Sequence, residues 1–112
     1  MRHLLTILTL FTLLTAPVLA TYDYSVLRGS WTSNSGAQID VGQIDGNWMM
    51  YVYDASGDMA GQADIVVTMQ AGNETHFHYY WNGEKINGVH VYGQGITVSA
   101  QDGWSSTWRR AD

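Results

Sequence analysis

Two of the chain's four histidines, His76 and His78, stand two residues apart in the run ETHFHYYWNG over residues 74–83. Alternate residues of a β-strand share a face, so both imidazoles would project the same way. Imidazole nitrogens are ready ligands for zinc or copper. A third ring, His90, follows in the next apolar run, VHVYG. A metal reading would therefore use His76, His78 and His90, with Asp64 or Glu74 as a further ligand or orienting carboxylate. It requires His90 on the outer face. An even-length loop after Trp81 would turn His90 inward and remove the third ligand. Neither carboxylate is fixed by spacing, so the metal reading ranks behind recognition, and no cofactor is expected.

Other reactive arrangements are sparse. The chain has no cysteine, which excludes thiolate chemistry and disulfides, and it has no Gly-x-Ser-x-Gly elbow. Asp54 and Asp58 fall in DASGDMAG, a turn-like stretch whose spacing matches no EF-hand loop. Asn73-Glu74-Thr75 fits the glycan acceptor pattern. Catalysis is not expected; binding is.

The elements that would carry these residues read as strands. After residue 28 the chain breaks into short alternating runs separated by Gly, Asn and Asp. Asp45-Gly46 is a favoured two-residue hairpin turn. It pairs Ile44 with Asn47, Val41 with Met50 and Ile39 with Val52. A three-residue loop at Ala71-Gly72-Asn73 would set Val67 opposite Phe77, Ile65 opposite Tyr79 and Ala63 opposite Trp81. An odd-length loop over residues 83–87 would put Val89 and Val91 inward and His90 outward, opposite Tyr80. A tight turn at Gly93-Gln94 would pair Val91 with Ile96 and Val89 with Val98. The loop Gln101-Asp102-Gly103 places Trp104 opposite Ala100 and Trp108 opposite Ile96. The expectation is an all-β fold, an antiparallel up-and-down meander of seven or eight strands closing into a small barrel. Closure removes the exposed edges that a long meander would otherwise present.

Residues 1–20, MRHLLTILTLFTLLTAPVLA, have a short basic start, an apolar run and small residues before Ala20. That is a secretory signal pattern, which predicts a secreted or periplasmic domain over residues 21–112 and no membrane insertion after cleavage. Four basic residues then face ten acids, a formal net charge of −6. Such a balance argues against nucleic acid, whose affinity rests on Lys and Arg neutralising phosphates.

At LRGSWTS, residues 27–33, Gly29-x-Trp31 opens the first strand, and Arg109 or Arg110 follows Trp108 near the end. This pairing resembles the calycin superfamily of lipocalins, avidins and fatty-acid-binding proteins. The resemblance implies a tryptophan plugging one barrel end and an arginine packed across it in a cation–π contact. It also implies an internal site for a small apolar molecule, here lined by Trp48, Tyr79, Trp81 and Trp104.

Read outward, the same registers give one row of Tyr51, Asp64, Tyr80, His90 and Thr97, provided Tyr53 opposes Gln62. The adjacent row is Met49, Val66, His78 and Tyr92. Tyrosine is favoured at interfaces, and apolar outward clusters often mark recognition surfaces. The leading expectation is thus an exported, non-catalytic domain. It would recognise a protein, a glycan or a second copy through Tyr51, Asp64, His78, Tyr80, His90 and Tyr92. The alternative is a calycin-like carrier with its ligand inside the barrel.

Overall fold

A computed structural model describes residues 21–111; the expected leader over residues 1–20 lies outside them. Nine strands form one antiparallel sheet that runs as a meander and curls into a nearly closed barrel, with β4 and β5 at its two edges. They are β1 (Gly29–Ser33), β2 (Gln38–Ile44), β3 (Asn47–Tyr53), β4 (Met59–Asp64), β5 (Val66–Ala71), β6 (Glu74–Trp81), β7 (Glu84–Val91), β8 (Gly95–Ala100) and β9 (Ser105–Arg110). β1 pairs with both β2 and β9, joining the chain's ends through Trp31 opposite Arg110 and Ser33 opposite Trp108. A 3₁₀ turn over Tyr24–Leu27 precedes β1.

The ninth strand has a local origin. β4 pairs with β3, β5 pairs with β6, and Ile65 alone separates them. The two make a single pass across the barrel that changes partner halfway, and the Ile65 amide donates to the Trp48 carbonyl at 2.9 Å. Side chains fill the seams on either side of that switch. Toward one end, Trp81 lies over Gly61. Toward the other, residues 22–24 cross the free edge of β5. The Val67 amide donates to the Tyr24 hydroxyl at 3.0 Å, and the Tyr22 hydroxyl donates to the Thr68 carbonyl at 3.0 Å. Gln70 adds a reciprocal pair with the Asp23 backbone. Two backbone groups of an edge strand, the Val67 amide and the Thr68 carbonyl, are thereby satisfied without another strand.

The core runs along the barrel axis. Trp31, Ile39, Val41, Met50, Val67, Phe77, Tyr79, Ile86, Ile96, Val98 and Trp108 are all buried. Asp45-Gly46 has positive φ at both residues, as a two-residue turn requires, and the β2–β3 register is the expected one. Val67 does oppose Phe77, by a different route. The turn is Gly72-Asn73, and the extra residue is a bulge at Thr68.

The register of β7 corrects the sequence expectation. Asn82-Gly83 forms the turn, with φ of 51° and 80°, so Trp81 opposes Glu84 and the loop has even length. Every side chain of β7 therefore changes face. Ile86, Gly88 and His90 point inward, while Val89 and Val91 are half-buried on the other side. The following loop, Tyr92-Gly93-Gln94, has three residues rather than two, and Val91 opposes Gly95. The two shifts cancel, so Ile96 and Val98 stay inside and Ile96 still opposes Trp108.

Gly88 is needed where it stands, because a Cβ there would collide with the Phe77 ring across the ladder. Gly88→Ala is expected to cost about 1–3 kcal/mol through overpacking. Urea denaturation checks this, and an unchanged midpoint would contradict the β6–β7 register.

Candidate functional site: an aromatic cleft at the unplugged end

The barrel's two ends are built differently. At one, Trp31 is fully buried and its indole N–H donates to the Leu27 carbonyl at 2.9 Å. The Arg110 guanidinium lies 4.1 Å from the Trp31 ring centroid. It donates to the Val26 carbonyl at 2.9 Å and to the carbonyl of Arg28. Gly29, at φ +127°, lets this happen, since a Cβ would fall 2.5 Å from the Arg110 Nη1. The packing arginine is therefore Arg110, whereas Arg109 precedes it on β9 opposite Thr32. Arg28 lies over Trp48 at 4.8 Å, and Tyr24 stacks on the same ring at 5.7 Å. Trp48 is thus part of this plug and does not line the cleft at the opposite end.

That opposite end holds a cleft of about 420 Å³. Its floor is the upper surface of the core: Ile39, Met50, Ile86 and Trp108. Tyr79, Trp81 and Trp104 supply aromatic walls. The rim is polar, with Ser35, Glu84 and Asp102, and the buried Ser33 and Ser106 also line the cleft. Two turns bring the acids there. Asn82-Gly83 delivers Glu84, and the loop over residues 101–104 delivers Asp102, whose carboxylate accepts the Trp104 amide at 2.9 Å. Burial pushes the Tyr79 phenol far above its usual range, so it stays neutral. Trp104 remains 50% exposed. An apolar, aromatic concavity of this size with a few polar groups at its edge has the character of a small-molecule site.

The residues expected on the outer face divide four ways. His78 and Tyr80 do face outward together, with ring centroids 5.7 Å apart, and Val66 opposes His78. Tyr51 and Asp64 belong to β3 and β4, where Tyr51 opposes Gln62 and Asp64 opposes Met49; Tyr53 opposes Met59. Tyr92 lies in the loop after β7 at the plugged end, 75% exposed. His90 is inside, 4% exposed, with its ring 5.7 Å from Trp31.

Turning His90 inward also dismantles the three-histidine arrangement. His76 and His78 remain on the outer face of β6, with the His76 Nε2 3.0 Å from Glu74 Oε1. Among the described residues no group of three His, Cys, Asp or Glu is placed to hold a metal ion. In the DASGDMAG loop the Asp54 carboxylate accepts from the Ser56 amide and hydroxyl and the Asp58 amide, and the Ser56 bonds hold its pKa down. It is committed to an Asx turn.

Missing from the sequence reading were Glu84, Asp102 and the floor residue Ile86. The signal for two of them was present. Asn-Gly between apolar runs is among the strongest hairpin signals, and it places Ile86 inward and Glu84 at the rim. No family model matches the chain, nor does any curated protein or solved structure.

His90 generates a prediction about pH. Its Nδ1 has no hydrogen-bond partner among the described residues. The groups around it are Trp31 on β1, Thr75 on β6, Ile96 on β8 and the guanidinium of Arg110 on β9. Desolvation first, and then repulsion from Arg110, lowers its pKa in the fold. The unfolded chain therefore takes up this proton first, from about pH 6.5 downward. Stability should fall as pH drops below that value, until the lowered folded pKa is reached. His78 contributes with the same sign, through desolvation and Lys85. Urea denaturation at pH 7.5 and pH 5.5 should show a smaller acid loss for His90→Gln than for the native chain. Equal losses would contradict a buried neutral His90.

Proposed function

We propose that this is an exported small-molecule-binding domain whose ligand enters the cleft between Trp81 and Trp104. Export rests on the leader pattern over residues 1–20. The observation that carries the binding reading is the asymmetry of the barrel. At one end Trp31 and Arg110 fill the barrel beneath a hollow of about 500 Å³ bordered by Arg109 and Arg110, whereas the other end opens on a cleft of about 420 Å³ walled by aromatic rings and free of basic residues. The plug supports a calycin-like assignment, because it reproduces the tryptophan–arginine packing that the Gly29-x-Trp31 resemblance implies. The filled core beneath the cleft supports a compact ligand held at the mouth rather than a long chain threaded through the barrel. Nothing in this reading calls for catalysis.

The uncharged dye N-phenyl-1-naphthylamine tests it. A single saturable site with blue-shifted emission is expected. Trp104→Ala should weaken binding about tenfold, or ~1.4 kcal/mol, and leave the thermal midpoint nearly unchanged, since Trp104 is half exposed. No saturable binding by the native chain would contradict the reading.

The outer face supports a second reading, recognition of a macromolecule. Val66 and Met69 are each 43% exposed and Tyr80 is 58% exposed, all beside His76 and His78 on β5 and β6. This patch differs from the one the sequence suggested in lacking His90, which is inside, and Tyr92, which lies in the loop after β7. If it mediates self-association, sedimentation velocity should show a dimer that Tyr80→Ser abolishes. A glycan-array signal lost in the same variant would indicate a saccharide instead. A monomer that binds no glycan would remove the second reading.

A further inference from the structure

We propose that the cleft takes a compact organic cation, an aromatic or branched aliphatic body bearing a primary or quaternary ammonium group. This rests on reading the cleft as a ligand site and specifies the charge of what enters it.

The walls are the first reason. Tyr79, Trp81, Trp104 and Trp108 present electron-rich ring surfaces to a single cavity. Indole and phenol faces attract cations through the ring quadrupole, most strongly where water is excluded. The Tyr79 phenol stays neutral there, held so by burial, so its ring contributes polarity to the wall without a fixed charge.

The rim is the second reason. Every charged residue lining the cleft is acidic, and the two come from different turns: Glu84 after the β6–β7 hairpin and Asp102 before β9. No Lys, Arg or His is among the lining residues. Lys85 is adjacent to Glu84 in sequence, but it pairs opposite Tyr80, on the outer face. Arg28, Arg109 and Arg110 belong to the plugged end, so three of the four basic residues among the described residues lie away from the mouth. The Asp102 carboxylate is also positioned, because it accepts the Trp104 amide at 2.9 Å. That bond ties the acid to the backbone that carries the exposed indole. A low-dielectric wall beneath a rim of one sign focuses field and favours the counter-charge. An anion would meet both carboxylates, and a neutral body would leave the rim's field unused.

A matched series tests charge separately from shape. Benzyltrimethylammonium, its neutral isostere neopentylbenzene, and phenylacetate can each be titrated against the chain by tryptophan fluorescence at low salt. The cation should bind at least tenfold more tightly than the neutral isostere, and phenylacetate should not bind. Glu84→Gln, and separately Asp102→Asn, should each reduce the cation's advantage about threefold while leaving neopentylbenzene affinity unchanged. Glu84→Gln is the safer variant, because Glu84 makes no side-chain hydrogen bond among the described residues, whereas Asp102 holds its loop. Equal or tighter binding of neopentylbenzene would overturn this inference and leave the apolar-ligand reading standing. Absence of binding by all three compounds and by the neutral dye would overturn both.

Discussion

A side chain on a β-strand has two directions open to it, and in a closed barrel one of them is the interior. Turn length sets that choice for each successive strand. In this molecule the decisive turn is Asn82-Gly83, whose two positive φ angles reverse the chain in two residues. Its parity puts Ile86 on the floor of the cleft, Gly88 under the Phe77 ring, and His90 beneath Trp31. The same turn sets Glu84 at the rim. One hairpin therefore contributes to the plug, the core and the mouth.

The two ends divide the work that disulfides commonly share in small exported domains. With no cysteine available, closure depends on packing and on hydrogen bonds from the termini. Arg110, on the last strand, reaches back to the carbonyls of Val26 and Arg28, and residues 22–24 bind the free edge of β5. The basic groups this requires lie at the plugged end. The mouth is left with carboxylates, serines and indoles, so an acidic mouth accompanies the way the barrel is plugged.

Much of the architecture was legible in residue types. The Asp45-Gly46 turn, the inward set Phe77, Tyr79 and Trp81, the opposition of Trp108 and Ile96, and the closing meander all follow from alternation and loop chemistry. Three features were not. The bulge at Thr68 conserves the Val67–Phe77 pairing while changing the turn, so local pattern alone cannot distinguish it from a longer loop. The split of β4 from β5 arises from a change of partner at Ile65, which is a tertiary event. The face of β7 was misread for a physical reason. Valines at 89 and 91 are better core residues than His90 and Gly88, so hydrophobicity opposed the turn signal, and the turn prevailed. The cleft inherits that misreading, since its acidic rim and part of its floor depend on the same hairpin.

The inner wall of β7 is open to direct observation by NMR. In a uniformly labelled sample at neutral pH, the His90 ring protons should show nuclear Overhauser contacts to the Trp31 indole and the Ile96 side chain. Contacts from His90 to Tyr80 instead, with none to Trp31, would place that ring on the water-facing side and contradict the account from the plug to the mouth.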